Sequence, residues 1–291
     1  MSLRRSSVVD SGELGALRRR ELDITPERAR SLGLSALAAI REGRYIADDG
    51  QWVDWKADVE KAAASKVSLR PDAPLPAPPR ARFPETDVVV ANETTLGAAR
   101  RLHEAGFRPL SLNFANGVVP GGGVLTGARA QEEVLCRSSA LLCTLEGDQM
   151  YDAHRQGPPY ESSDWLILSP DVPVFRHDDG LSLAPPWPTS FVTCAAPYAP
   201  RVGQPRSGDL LERRIQRLLA VTHAYAFDTL VLGAWGCGAF GNDPARTARD
   251  FRVALEGDFD GAFRQVTFAI TDWSPERRFL GPFRDAFSLG T

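Results

Sequence analysis

The chain has 291 residues, 43% of them hydrophobic, and 34 basic against 37 acidic side chains leave a formal charge of -3. That length suits one large domain, or one domain with an appendage, and the near balance of charge excludes a nucleic-acid surface built on a broad basic face. Cys136, Cys143, Cys194 and Cys237 have neither disulfide-framework nor zinc spacing, and no apolar leader or membrane-length run is present, so a cytoplasmic protein of reduced thiols is expected.

Residues 1–24 are polar with little period and read as a solvated segment. Thr25-Pro26 is a cap followed by proline at the first helical position. The helix it opens runs to Glu42, with Gly43 at its end and Leu32, Leu34, Leu37 and Ile40 as its buried face. Asp49-Gly50 signals a hairpin within 45–52, and a second helix fits 54–66. Pro71, Pro74, Pro76, Pro78 and Pro79 exclude helix and read as a stiff connector. The expected division is therefore an N-terminal helical extension with connector, 1–83, and a main domain, 84–291. The extension alternatively packs on the main domain's edge.

Apolar strand segments follow at 87–91, 109–114, 165–168, 191–194, 229–234 and 265–270. They alternate with helical segments at 94–105, 210–226, 244–255 and 275–287, and a run from Gln131 that can be helical through Cys143. This pattern predicts α/β layers around a mostly parallel or mixed sheet. Ligands in such sheets sit beyond the strand C-termini.

Two glycine-rich loops fall at such ends. After the strand ending at Phe114 come Asn116-Gly117, then Gly121, Gly122 and Gly123, Thr126 and Gly127, and then Gln131, Glu132 and Glu133. Consecutive glycines let backbone approach a ligand closely, and their N–H groups form an anion-binding concavity. The same residues also fit a flexible loop before an ordinary acidic helix start. The loop matches neither GxxxxGK[ST] nor GxGxxG. The second loop follows the strand ending at Ala234 and reads Trp235-Gly236-Cys237-Gly238-Ala239-Phe240-Gly241-Asn242. Two phosphate-sized loops at strand ends suit a diphosphate held from both sides. Gly236, Gly238 and Gly241 permit close approach, and Phe240 either covers a sugar or base or simply packs. The four histidines form no ligand motif, so neither metal nor cofactor is expected.

The run GGG, seven intervening residues, then QEE resembles the signature of poly(ADP-ribose) glycohydrolases. Asn113-Phe114-Ala115-Asn116 and the later GCGAFGN resemble the bacterial form of that family, which has a macrodomain fold. The resemblance implies a three-layer α/β fold with a central mixed sheet. It also implies hydrolysis of the ribose–ribose bond of poly(ADP-ribose), mainly from polymer ends, with release of ADP-ribose. Carried onto this chain, it makes Glu133 the catalytic acid and Glu132 the residue that orients the neighbouring ribose. Asn116 would bond the distal ribose, with Gly121 to Gly123 and the turn at Thr126 and Gly127 enclosing it and the diphosphate. Gly238, Ala239 and Phe240 would form the opposite wall, and Gln131 would fix the acidic loop. Asn92, Thr95, Phe268 and Thr271 lie near strand ends and are candidates for the remaining wall, with core packing as the alternative. A non-cleaving ADP-ribose reader and a mono(ADP-ribosyl) hydrolase are the competing functions. A monomer without membrane or nucleic-acid partners is expected.

Overall fold

The computed structural model describes residues 3–80 and 83–288, with residues 3–6 as backbone only. The N-terminal part contains β1 (Leu3–Val9), α1 (Gly12–Leu22), α2 (Pro26–Glu42), β2 (Arg44–Ile46), β3 (Trp52–Asp54), α3 (Lys56–Ser65) and β4 (Val67–Leu69). Beyond the connector come β5 (Thr86–Ala91), α4 (Thr95–Glu104), β6 (Leu110–Ala115), α5 (Gln131–Ser138), α6 (Leu141–Leu145) and α7 (Gln149–Gln156). Then follow β7 (Leu166–Arg176), β8 (Ser182–Ala195), α8 (Ala199–Val202), α9 (Arg206–Ala224), β9 (Thr229–Leu232), α10 (Pro244–Glu256), β10 (Gln265–Ala269) and α11 (Leu280–Phe287).

One eight-stranded sheet, in the order β1-β5-β10-β9-β6-β8-β7-β4, separates two helical layers. Pairing is parallel from β1 to β8 and antiparallel for β8–β7 and β7–β4, so the sheet is mixed. Side chains alternate along each strand. Leu112 of β6, Leu232 of β9 and Val266 of β10 share one core with α9, α10 and α11. Val231 and Ala269 point the other way, toward α4. Ile167, Phe191 and Val174 pack on that second side with α2, α3, α5 and α6.

The α2 signals hold. Thr25 accepts from Arg28 N at 3.2 Å, Pro26 opens the helix and Gly43 ends it at φ +70°. Leu34 departs from expectation, being 44% exposed. The buried stripe is Ala29, Leu32, Gly33, Ala36 and Leu37 instead, because α2 lies close against the first glycine loop. A Cβ on Gly33 would stand 2.2 Å from Val124 O.

Three other expectations change. Residues 1–24 are not merely solvated: β1 pairs with β5, Val8 opposite Val90, and α1 follows from a Ser11 cap. The helix expected through Cys143 breaks at Ser139, whose hydroxyl accepts from Leu141 N and whose backbone bridges to Val174. The helix expected from Pro275 starts only at Leu280. There Asp272 accepts from the N–H groups of Ser274, Phe279 and Leu280 and holds the intervening chain as a loop.

Candidate active site

Strands β6 and β9 are neighbours whose onward connections run to opposite sides. The chain leaving β6 returns through β7 and β8, and the chain leaving β9 goes through α10 to β10. This is a topological switch point, where such sheets open a crevice. Pairing between the two strands stops at Ser111↔Val231. The Gln131 side chain fills the gap. Its Oε1 accepts from Phe114 N at 2.9 Å, and its Nε2 donates to Leu112 O at 2.7 Å and to Thr95 Oγ1 at 3.1 Å. The amide thus replaces a missing strand partner and satisfies buried backbone groups that would otherwise be costly.

A cavity of about 430 Å3 opens at this crevice. Its wall includes Thr95, Phe114, Asn116, Gln131, Glu132, Glu133, Gly236, Gly238, Ala239, Phe240, Thr271 and Phe279. Both glutamates sit in the first turn of α5, only 3% and 6% exposed. Glu132 accepts from Asn116 N at 2.7 Å and from Asn113 Nδ2 at 3.3 Å. Burial pushes its pKa up to about 8, helped by the adjacent Glu133 and opposed by those hydrogen bonds. Glu133 Oε1 accepts from Gly123 N at 2.8 Å, and its Oε2 is buried with no hydrogen-bond partner. One turn on, the buried Arg137 guanidinium has its pKa lowered by burial, against the attraction of Asp178 and Glu133.

The glycine triplet forms the cover over these acids. Gly121 and Gly122 take φ +69° and +56°, and a Cβ on Gly122 would stand 2.3 Å from Glu133 Oε1. Only glycine combines that conformation with that approach. Gly127 faces the N-terminal part, where a Cβ would meet Pro26 O at 2.5 Å, and the exposed Thr126 donates to Gly123 O. Like the triplet itself, these two residues lie outside the cavity wall and shape the loop. Asn116 Oδ1 accepts from Val118 N and Val119 N and turns the chain into the loop.

Across the crevice, the second loop is held by Asn242. Its amide donates to Pro197 O and Gly236 O, and its carbonyl accepts from Ser207 Oγ. Gly236, Gly238, Ala239 and Phe240 face the cavity; Gly241, at φ +64°, turns the loop behind them with its N–H on Gly238 O.

Two candidates are corrected. Phe268 is 0% exposed and packs against Phe251, Phe283 and Phe287. The alternation of β10 points it under α10 and α11, and Ala269 beyond it reaches the cavity instead. Asn92 also stays out of the cavity. It brackets Asp10 and Asp272, donating to Asp10 Oδ1 and Asp272 O and accepting from Asp272 N.

Residues 34–177 match the family described as "Microbial-type PARG, catalytic domain". Among solved structures, the poly(ADP-ribose) glycohydrolase of Thermomonospora curvata is 39% identical, with a TM-score of 0.82 over 89% of this chain and 99% of that one. The chain belongs to the microbial-type poly(ADP-ribose) glycohydrolase family. The Thermomonospora enzyme bound to the inhibitor ADP-HPD is similar at 38% identity and TM-score 0.80, with coverage of 89% and 99%. The glycohydrolase of Deinococcus radiodurans in complex with ADP-ribose is 40% identical at TM-score 0.73, over 79% of this chain and 97% of that one. No curated protein matches.

Within this glycohydrolase fold, sequence reasoning missed Phe279 and Ile270 of the cavity wall and Asn113 beneath Glu132. Asn113 was signalled, since a polar residue inside the apolar strand 110–115 needs a buried partner. Nothing local marks Phe279, which reaches the wall only because Asp272 folds its loop.

Proposed function

We propose that the chain hydrolyses the ribose–ribose O-glycosidic bond of poly(ADP-ribose) and releases ADP-ribose. The observation that carries this reading is the buried Glu132–Glu133 pair on the wall of the crevice cavity, beneath one glycine loop and opposite another. The ligands of the two relatives, ADP-HPD and ADP-ribose, support it.

The chemistry follows from the surroundings of the acids. Glu133 Oε1 is fixed by Gly123 N and Oε2 has no partner, so Oε2 is the oxygen that carries the proton in this reading. A substrate diphosphate between the glycine loops adds negative charge and favours a proton on the acidic pair. Glu133 gives that proton to the leaving 2′-oxygen as the C1″–O bond breaks. The resulting oxocarbenium-like sugar is stabilised by the nearby diphosphate. Glu133 then takes a proton from the water that attacks C1″, which restores the acid and completes ADP-ribose. Glu132, anchored by Asn113 and Asn116, orients the neighbouring ribose.

Cleavage works mainly from polymer ends in this reading. The N-terminal part supports it: Arg129 donates to Asp23 Oδ1 and Ile24 O across the loop, and Leu22, Asp23 and Trp273 wall an adjoining space of about 250 Å3. Residues 1–83 act as an extension of the body at 84–291. The protein works as a cytoplasmic monomer without nucleic-acid recognition, which the charge of -3 supports. No described helix is long and apolar enough to cross a membrane. Incubation with poly(ADP-ribose) of defined length, followed by product sizing, tests the activity. Monomeric ADP-ribose is expected from the first time points; polymer bound but uncleaved identifies a reader.

A further inference from the structure

An aromatic series leads outward from Phe240. The Tyr198 ring meets Phe240 edge-on, with centroids 5.7 Å apart. Tyr160 follows at 5.9 Å from Tyr198, and the Arg201 guanidinium carbon stands 5.8 Å from the Tyr160 ring centroid. Tyr160 is 55% exposed and takes φ +67°, a conformation that bulky residues rarely adopt. Such strain persists where the surroundings over-determine it, and it clusters at ligand clamps.

The backbone of this loop is firmly held. Tyr198 N donates to Tyr160 O at 2.8 Å, and the fully buried Arg214 donates to Glu161 O and Ala195 O. His154 ties the loop to the first glycine loop, with Nδ1 2.9 Å from Gly117 O and Nε2 2.7 Å from Ser163 Oγ. A Cβ on Gly117 would stand 2.2 Å from Ser162 Oγ. The exposed ring therefore rises from a rigid base that meets Gly117, next to Asn116, and Tyr198 links it to Phe240 of the cavity wall. Arg206 and Arg213 next to it are paired with Glu161 and Asp164. Arg201 has no ion pair among the described residues.

We propose that Tyr160, Tyr198 and Arg201 form a subsite for the ADP-ribose unit next to the one being released. The inference rests on the glycohydrolase reading. With the distal ribose of the terminal unit against Asn116 and Phe240, the remaining polymer leaves on their side, where this loop stands. Tyr160, exposed beside Arg201, stacks an adenine, because aromatic stacking accepts any base. Arg201 takes the diphosphate, for which a guanidinium carries a matching fork of donors.

The test compares binding of ADP-ribose and of an ADP-ribose trimer to Glu133→Gln, alone and combined with Tyr160→Asn or Arg201→Ala. Asparagine tolerates the left-handed backbone, so the ring is removed without forcing the loop. Tyr160→Trp is the rescue variant. The trimer should bind about ten-fold more tightly than the monomer to Glu133→Gln, in line with one stacked base. Tyr160→Asn and Arg201→Ala should each remove most of that gain and leave monomer binding within about two-fold, and Tyr160→Trp should keep the gain. Equal binding of trimer and monomer, or a gain that survives both substitutions, would overturn the subsite. Hydrolysis by the unsubstituted chain is read separately. Failure to release ADP-ribose from the trimer would overturn the glycohydrolase reading, while the binding comparison still judges the subsite.

Discussion

Glu132 and Glu133 are adjacent in sequence and differ in what holds them. Glu132 is the deeper of the two, and burial keeps it neutral up to about pH 8. The sign of the stability effect follows. A carboxyl whose folded pKa lies above its unfolded value stabilises most below about pH 4.5 and loses that contribution as pH rises toward 8. Denaturant titration should therefore find the chain less stable at pH 8.5 than at pH 5, by on the order of a few kcal/mol from this group. Glu132→Gln should flatten that dependence; an unchanged slope would contradict the assignment of the proton. Gly122 is the second sensitive position. Gly122→Ala places a methyl in contact with the Glu133 carboxylate and strains the backbone. It should cost about 1–3 kcal/mol of stability and at least about ten-fold in hydrolysis, read by denaturation and initial rates.

Gln131 acts between elements, because its amide bridges α5, β6 and α4. Gln131→Leu keeps the bulk but leaves Leu112 O and Phe114 N without their partner, at about 1–3 kcal/mol for each buried group. Denaturation should show that loss, and ADP-ribose binding should weaken with it. The elements also show what the sequence made legible. The α2 cap, the two glycine loops and the acidic helix start were readable because local chemistry dictates them. Phe268 was not, because alternation groups it with Val266, opposite Gln265, Thr267 and Ala269, but only the packing of α10 and α11 decides which face is turned from the cavity. Asn92 looked like a ligand residue by its position at a strand end. It is committed to Asp10 and Asp272, the latter 180 positions away, and no window of sequence reveals that pairing. Residues 3–9 become a strand only by joining β5, more than seventy positions on.

At the scale of the molecule, the N-terminal part and the catalytic body share one sheet. β1 and β4 form its two outer edges, and α2 rests on the glycine loop through Gly33 and Val124. A chain limited to 84–291 would expose strand edges at β5 and β7 and leave that loop unsupported. It should aggregate or lose cooperative unfolding, as read by size-exclusion chromatography and thermal denaturation; a folded, fully active fragment would refute the dependence. Hydrolysis depends on one proton on one carboxyl group, that of Glu133. The most direct measurement pairs the rate of ADP-ribose release from poly(ADP-ribose) with the calorimetric affinity for ADP-ribose, in the unsubstituted chain and in Glu133→Gln. The predicted result is a rate lower by about 10²- to 10⁴-fold with affinity changed only a few-fold. A Glu133→Gln chain that releases ADP-ribose at near-normal rate would contradict it.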